Sequence, residues 1–243
     1  MNSIRRSPVG GKNTTSKVGV LDKAVVILSF LSEGGPATLA EVVEGTRLSR
    51  PTAYRLLSAL EAHQLVGRRN GRYALGMRLL GWGKRAVGLD LVEAARPVLA
   101  ALAEEIGEST QLYVREGDRR VCIASVERAG RGLRDTVPVG AVLPLDRGSG
   151  GKVLLAWAED VERSFVVEPS ELEKIRNRGW AESVAEREAG VASVSAPVFD
   201  PRGGLRAAAC VSGPISRLGE RPGERMAEPV VLAARKIEEA LGS

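Results

Sequence analysis

The sequence predicts an α+β chain of two domains: a small helical one first, then a larger one whose mostly antiparallel sheet carries helices. Three observations point there. The chain has 243 residues, more than the ~150 expected of a single domain. Helical periodicity dominates to about residue 107, and hairpins separated by a helical excursion follow, an order that favours an antiparallel sheet over repeated βαβ units. Charge is divided as well: residues 1–80 hold 12 Lys/Arg against 5 Asp/Glu, a balance of +7, and residues 81–243 hold 23 against 25, a balance of −2. Hydrophobic residues at 44% and charged residues at 27% are ordinary for globular domains. The boundaries read as a basic tail over 1–17, a first domain over 18–76, linker helices over 77–107 and a second domain over 108–243.

Residues 1–17 are polar, basic and rich in Gly, Ser and Thr, so they cannot bury apolar area and are expected to be disordered. From Val20 to Leu31 the chain reads as a compact apolar helix, ended by Gly34, Gly35 and Pro36. Thr38 with Glu41 forms a T-x-x-E capping box that opens a second helix, broken by Gly45 and Thr46. Ser49 caps a third helix through Ala62, with Pro51 in its first turn, where unpaired N–H groups make proline harmless. Ala53, Leu56, Leu57 and Leu60 follow helical spacing and give it a core face. The opposite face shows Arg50, Thr52, Tyr54, Arg55 and Ser58. His63 follows at the helix end, in a packing or capping role. Strands over Leu65–Arg68 and Arg72–Leu75 flank Asn70-Gly71, a pair suited to a tight hairpin because both residues accept positive φ.

Helix, helix, short turn, helix and basic hairpin together make a winged helix-turn-helix. Such a unit lays its second motif helix in the major groove of DNA, N-terminal residues toward the bases. That assigns Thr38, Ser49, Arg50, Thr52, Tyr54 and Arg55 to a DNA surface, with Arg68, Arg69 and Arg72 of the hairpin available to phosphate or the minor groove. The partner is double-stranded DNA. A solvated arginine surface on a small helical domain is the plainer alternative.

Residues 77–89 contain Gly81, Gly83 and Gly88, each costing a helix about 1 kcal/mol relative to alanine. A helix kept despite them implies close helix–helix contact or a hinge. The next helix, Asp90 to Glu105, has Leu91, Val92, Ala95, Val98, Leu99 and Leu102 as its apolar stripe, with Pro97 weakening its first half. Strands follow at Gln111–Glu116 and Arg120–Glu127 around Gly117-Asp118, and near 133–138. A loop at Gly148 runs into a helix ending at Ala158, and Ser170–Arg178 is helical. Strands Val191–Phe199 and Leu205–Ser212 join through Asp200-Pro201-Arg202-Gly203-Gly204, and a last helix carries Val230, Val231, Ala234, Ile237 and Leu241.

No catalytic constellation is legible. His63 is the only histidine, and the two cysteines are Cys122 and Cys210, so no metal site and no disulfide framework is expected. Two glycine–lysine runs fall short of a phosphate loop: Arg6 and Asp146 stand where its first glycine belongs. No cofactor is expected. No apolar run approaches the ~18 residues of a membrane span, and the N-terminus has no secretory core, so a cytoplasmic protein without membrane contact is expected. Glu182, Glu186 and Glu188 read as surface charge. Small polar residues beside glycines are more suggestive: Gly148-Ser149-Gly150-Gly151 ahead of a helix, Gly190 near Ser193, and Ser212-Gly213. A helix start offers free N–H groups to an anion, which suits a small carboxylate or amino-acid ligand; tight turns explain the same glycines equally well.

The chain resembles the IclR family of bacterial transcription regulators. In the first domain the likeness lies in LDKAVVILSFL at 21–31, TLAEVVEGTRLSRPTAYRLLSALEAHQLV at 38–66 and RYALGMRLL at 72–80. In the second it lies in VGAVLPLDRGSGGKVLLA at 139–156, RNRGWAESVAEREAGVASVSAPVFDPRG at 176–203 and VSGPISRL at 211–218. GLRDTVPVG at 132–140 and EREAGVASVSAPV at 186–198 look like an actinobacterial subgroup associated with amino-acid, especially leucine, biosynthesis. The resemblance implies a winged helix-turn-helix domain, a linker helix and a GAF-like effector-binding domain. It also implies a small-molecule effector, and homodimers through the DNA-binding domains that pair into homotetramers. Carried over by position, the effector site would include Ser149, Gly150, Ser183, Ser193, Cys210 and Ser212, with serine at 183 where relatives can have an acid and at 193 where some have cysteine. Two other functions compete: an enzyme with a nucleic-acid-binding appendage, and an architectural DNA-binding protein whose second domain only oligomerises.

Overall fold

The structure is a computed structural model that describes residues 18–87, 89–127, 137–158 and 166–242, with side chains outside 84–89. The tail over 1–17, Gly88 and most of the strand expected near 133–138 lie outside the described residues. The chain divides into two units at Ala86 and Val87.

The first unit holds α1 (Gly19–Gly34), α2 (Leu39–Thr46), α3 (Arg50–Ala62), a hairpin of β1 (Val66–Arg69) and β2 (Arg72–Leu75), and α4 (Met77–Val87). Ile27, Leu31, Val42, Leu57, Leu60, Val66 and Tyr73 form its core. Gly35 ends α1 at φ 73° and donates its N–H to the Leu31 carbonyl. The capping box of α2 is complete: the Thr38 hydroxyl accepts the Glu41 N–H at 3.3 Å, and the Glu41 carboxylate accepts the Thr38 N–H at 2.6 Å. Those bonds to Thr38, with Arg72 beside them, hold the Glu41 carboxyl below its ordinary range. Its stabilising effect is therefore full above the ordinary carboxylate range and fades as pH falls through the lowered value. Thr38→Ala should cost the unit about 1 kcal/mol, read as a lower denaturant midpoint with unchanged slope.

Gly45 and Thr46, expected to break α2, belong to it, and the chain turns at Arg47 with φ 57°. A Cβ at Gly45 would overlap the Phe30 ring, so this glycine serves the close approach of α1 and α2 rather than the turn. The hairpin pairs Val66 with Leu75 through Arg69 with Arg72, and Asn70 and Gly71 both take positive φ, 52° and 75°. Ala37 and Tyr73 exchange N–H···O bonds at 2.9 and 2.7 Å, which ties the hairpin to the start of α2. In α4, a Cβ at Gly81 or Gly83 would meet nothing within 4 Å, so close packing inside the described chain does not account for either.

The second unit begins with α5 (Leu89–Ile106) and continues with β3 (Ser109–Glu116), β4 (Arg119–Val126), β5 (Val142–Pro144), α6 (Ser149–Ala156), α7 (Pro169–Arg178), β6 (Ala181–Val184), β7 (Val191–Phe199), β8 (Leu205–Pro214), α8 (Ile215–Leu218) and α9 (Gly223–Leu241). The six strands run in the order β5-β4-β3-β8-β7-β6, every neighbouring pair antiparallel. Helices cover both faces. Leu91, Ala95 and Leu99 of α5 and Val230 and Ile237 of α9 pack with Ile123, Val194 and Val211 on one side. On the other, Val153, Leu154 and Leu155 of α6 and Ile175 of α7 pack with Tyr113, Cys122 and Cys210. This second face holds the site. Val137 and Pro138 fall in no strand, and among the described residues β5 is the edge strand beside β4.

Candidate functional site

The outward side of α3 is solvent-facing and polar. Ser49 caps the helix, its hydroxyl accepting the Thr52 N–H at 3.4 Å and lying 2.8 Å from the Thr52 hydroxyl. Arg50, Tyr54, Arg55 and Ser58 are exposed, Tyr54 by 52% although it is a large aromatic ring. Ala53, Leu57 and Leu60 on the inner side are buried and fix the helix's rotation. On the hairpin Arg68 and Arg69 are exposed, and Arg68 lies 5.2 Å over the Tyr73 ring. Arg72 and Thr38 of the expected DNA surface are engaged with α2 and its cap. Arg72 donates to the Glu41 carboxylate at 2.8 and 3.0 Å and to the Pro36 carbonyl at 3.1 Å, and the Thr38 hydroxyl belongs to the same cap. Arg72 thus braces the hairpin against α2. His63 is the C-cap residue of α3.

In the second unit, the start of α6 closes over β3, β8 and β7 around a small polar cavity. Its lining includes Gly150, Ser183, Ser193, Cys210 and Ser212 from the expected set. Ser149 is fully buried; its hydroxyl donates to Ser193 at 2.7 Å and lies 2.8 Å from the Ser195 hydroxyl, pinning the helix start to β7. Ser212 donates to the Gln111 side-chain oxygen at 3.1 Å. The free space is about 20 Å³, room for about one water.

Sequence reading missed the cations and the ring. Arg120 of β4, Tyr113 of β3 and Arg187 also line the cavity. Arg120 is 3% exposed; its guanidinium lies 4.9 Å from the Tyr113 ring centre, and Nη1 reaches the Gly148 carbonyl at 3.5 Å. Its Nε is buried with no hydrogen-bond partner among the described residues. Burial lowers the arginine's pKa and raises that of Tyr113 well above the phenolic range. Of the acids expected at the surface, Glu188 is exposed, whereas Glu186 and Glu182 are structural partners. Glu186 accepts the Gly148 N–H at 3.1 Å and pairs with Lys152, which also donates to Glu171 at 2.8 Å. Glu182 accepts the Gly223 N–H at 2.9 Å where α9 begins. Neither acid lines the cavity.

Chemically the cavity can hold a small polar molecule, and its described lining contains no His, Lys, Asp or Glu to act as base for the Cys210 thiol or the serine hydroxyls; burial pushes the Cys122 thiol, packed in the same cluster, up to about 12. Among the described residues no group of His, Cys, Asp and Glu could hold a metal, and no helix is long and apolar enough to cross a membrane.

Known proteins share both units. The C-terminal domain of bacterial IclR transcriptional regulators matches residues 84–239, and the IclR helix-turn-helix domain matches residues 20–69. The uncharacterized HTH-type transcriptional regulator RhmR of Escherichia coli K12 is 29% identical over 252 residues, covering 94% of this chain and 95% of its own. The crystal structure of Thermotoga maritima IclR superposes with a TM-score of 0.70 at 26% identity, over 92% of this chain and 98% of that one. An IclR homologue of Microbacterium hydrocarbonoxydans, crystallised with 4-hydroxybenzoate, shares the fold with a TM-score of 0.72 at 23% identity, over 92% and 99% of the two chains. Winged first unit, sheet-built second unit and these matches agree: the chain belongs to the IclR family and is a DNA-binding transcriptional regulator with a C-terminal effector domain, not an enzyme.

Proposed function

We propose that the protein is an allosteric regulator of metabolic genes, among them genes of amino-acid metabolism, whose effector is a small carboxylate or amino-acid-like molecule bound beneath α6. The observation that carries this reading is the convergence of Gly150, Ser183, Ser193, Cys210 and Ser212 on one buried polar cavity beside a cation whose Nε has no partner among the described residues. With about 20 Å³ of free space in the cavity, an effector larger than a water would have to part α6 from the sheet, substituting its own polar groups for the Ser149–Ser193 and Ser149–Ser195 bonds. Such a ligand has different affinities for the closed and opened forms, which is what coupling to DNA requires. The 4-hydroxybenzoate held by the Microbacterium homologue is itself a carboxylate.

The DNA surface is the exposed side of α3 with Arg68 and Arg69 of the wing. A homodimer, itself able to pair into a tetramer, is supported by apolar side chains left uncovered on the first unit: Val18, Leu21 and Val25 of the α1 region at 54%, 56% and 51% exposure, and Leu80 and Trp82 of α4 at 52% each.

Titrating small carboxylates and amino acids against binding to the DNA upstream of the chain's own gene tests the proposal. The effector should change operator affinity by about 5- to 150-fold. A ligand shown by calorimetry to occupy the cavity while operator affinity stays constant would refute the coupling.

A further inference from the structure

The turn between α2 and α3 carries a residue that the fold alone does not explain. α1, α5, α7 and α8 are each followed by a glycine at positive φ, Gly35, Gly107, Gly179 and Gly219, the residue that takes this conformation without steric cost. α2 ends instead on Arg47, at φ 57°. Any side chain strains the backbone there, and arginine is not among the short polar residues that tolerate it. Gln64 takes the same conformation after α3, at the far end of that helix, and carries no charge.

Hydroxyls hold the turn from both sides. Thr46 donates to the Val42 carbonyl at 2.6 Å and accepts the Leu48 N–H at 3.4 Å, and Ser49 caps α3. Leu48 packs against the core of the first unit, whereas Arg47 is exposed. It forms no hydrogen bond or ion pair among the described residues. Glu44, exposed one turn back in α2, makes no salt bridge with it. Arg72 shows what a structural arginine looks like in this unit, held by the Glu41 carboxylate and the Pro36 carbonyl. Nothing within the first unit uses the Arg47 guanidinium, and its backbone would be better served by glycine.

We propose that Arg47 is a phosphate clamp, a cation fixed in the turn ahead of the reading helix that grips the DNA backbone beside the bases met by Arg50. The inference rests on the reading of the outward side of α3 as the DNA face. A helix-turn-helix brings the N-terminal end of its second helix into the major groove, so a residue two places before the Ser49 cap stands at the groove's rim, where the phosphates are. Contacts of that kind fix register and carry no sequence information.

The test is fluorescence anisotropy on the full-length protein, with the DNA upstream of its own gene and an unrelated duplex of equal length. Arg47→Gln removes the charge and should weaken both duplexes alike. Each lost phosphate contact lowers the salt slope by about 1, so the penalty should shrink roughly three- to fourfold per chain bound between about 50 and 200 mM salt. Arg47→Lys keeps the charge and should keep the slope. Arg47→Gly relieves the positive φ: it should bind DNA as weakly as the glutamine variant while its denaturant midpoint lies no lower than that of the wild type, a pairing that a merely structural arginine would not give. Wild-type affinity and slope for Arg47→Gln, with operator binding lost in the Arg50→Ala, Arg55→Ala double variant, would overturn the clamp and leave the DNA face standing. Wild-type binding by both would remove the face and the clamp together. A loss confined to the operator would make Arg47 a reader of bases and equally defeat the proposal.

Discussion

Gly151→Ala is expected to destabilise the second unit by about 3 kcal/mol, the upper end of what overpacking a core costs. The added Cβ would overlap the Leu145 carbonyl oxygen and stand 3.2 Å from the Arg120 guanidinium. Neither neighbour can yield cheaply. Leu145 is fully buried and Arg120 nearly so. The remaining escape lifts the first turn of α6 off the sheet, stretching the 2.7 and 2.8 Å contacts that tie Ser149 to Ser193 and Ser195. The variant should therefore lose effector binding along with stability. Gly81→Ala is the contrasting case: it lies within α4 with nothing inside 4 Å of a new Cβ, so it should stabilise the chain by up to about 1 kcal/mol through helix propensity alone. Denaturant melts of the two variants measure the difference. A Gly151→Ala midpoint equal to wild type would show that the run of glycines is a loop convenience and not a packing requirement.

That contrast also marks what the sequence disclosed. The first unit was readable because its determinants are local: Thr38 and Glu41 are three residues apart, Ser49 caps the helix it precedes, and Asn70-Gly71 sets its own hairpin. β7 and the last helix were readable from their own patterns. Short elements without such a signature escaped, namely the three-residue β5, β6 (Ala181–Val184), which has one β-branched residue, and the four-residue α8. The candidate cavity was half readable. Its serines and glycines stand out beside turns, whereas Arg120 does not, because its place depends on which face of β4 meets α6. Both faces of that strand are apolar, Val121 and Ile123 packing with α5 and α9 and Cys122 with α6, so alternation could not tell an inward arginine from an outward one. Glu182 and Glu186 escaped for a related reason: their partners, Gly223, Gly148 and Lys152, lie 34 to 41 residues away, in the first case 41 and in the others 38 and 34.

The double variant Arg50→Ala, Arg55→Ala should weaken operator binding by at least about 30-fold, since each base-edge arginine contributes roughly 1–3 kcal/mol of discrimination. Both arginines are exposed on α3, and neither forms an ion pair among the described residues, so removing them leaves no buried charge behind and the fold should survive. The loss should be selective, with binding to unrelated DNA falling much less than binding to the operator. Arg69→Ala on the wing should behave the opposite way, lowering affinity for all duplexes alike and reducing the salt slope by about 1. Arg72→Ala supplies the internal comparison. Its guanidinium is held by Glu41 and the Pro36 carbonyl, so its effect should appear in the melting of the first unit before it appears in base preference. Fluorescence anisotropy at several salt concentrations separates these three patterns. Equal losses on operator and unrelated DNA for the α3 variant would mean that the helix meets phosphate instead of bases, and the groove-reading face would have to be sought elsewhere on the unit.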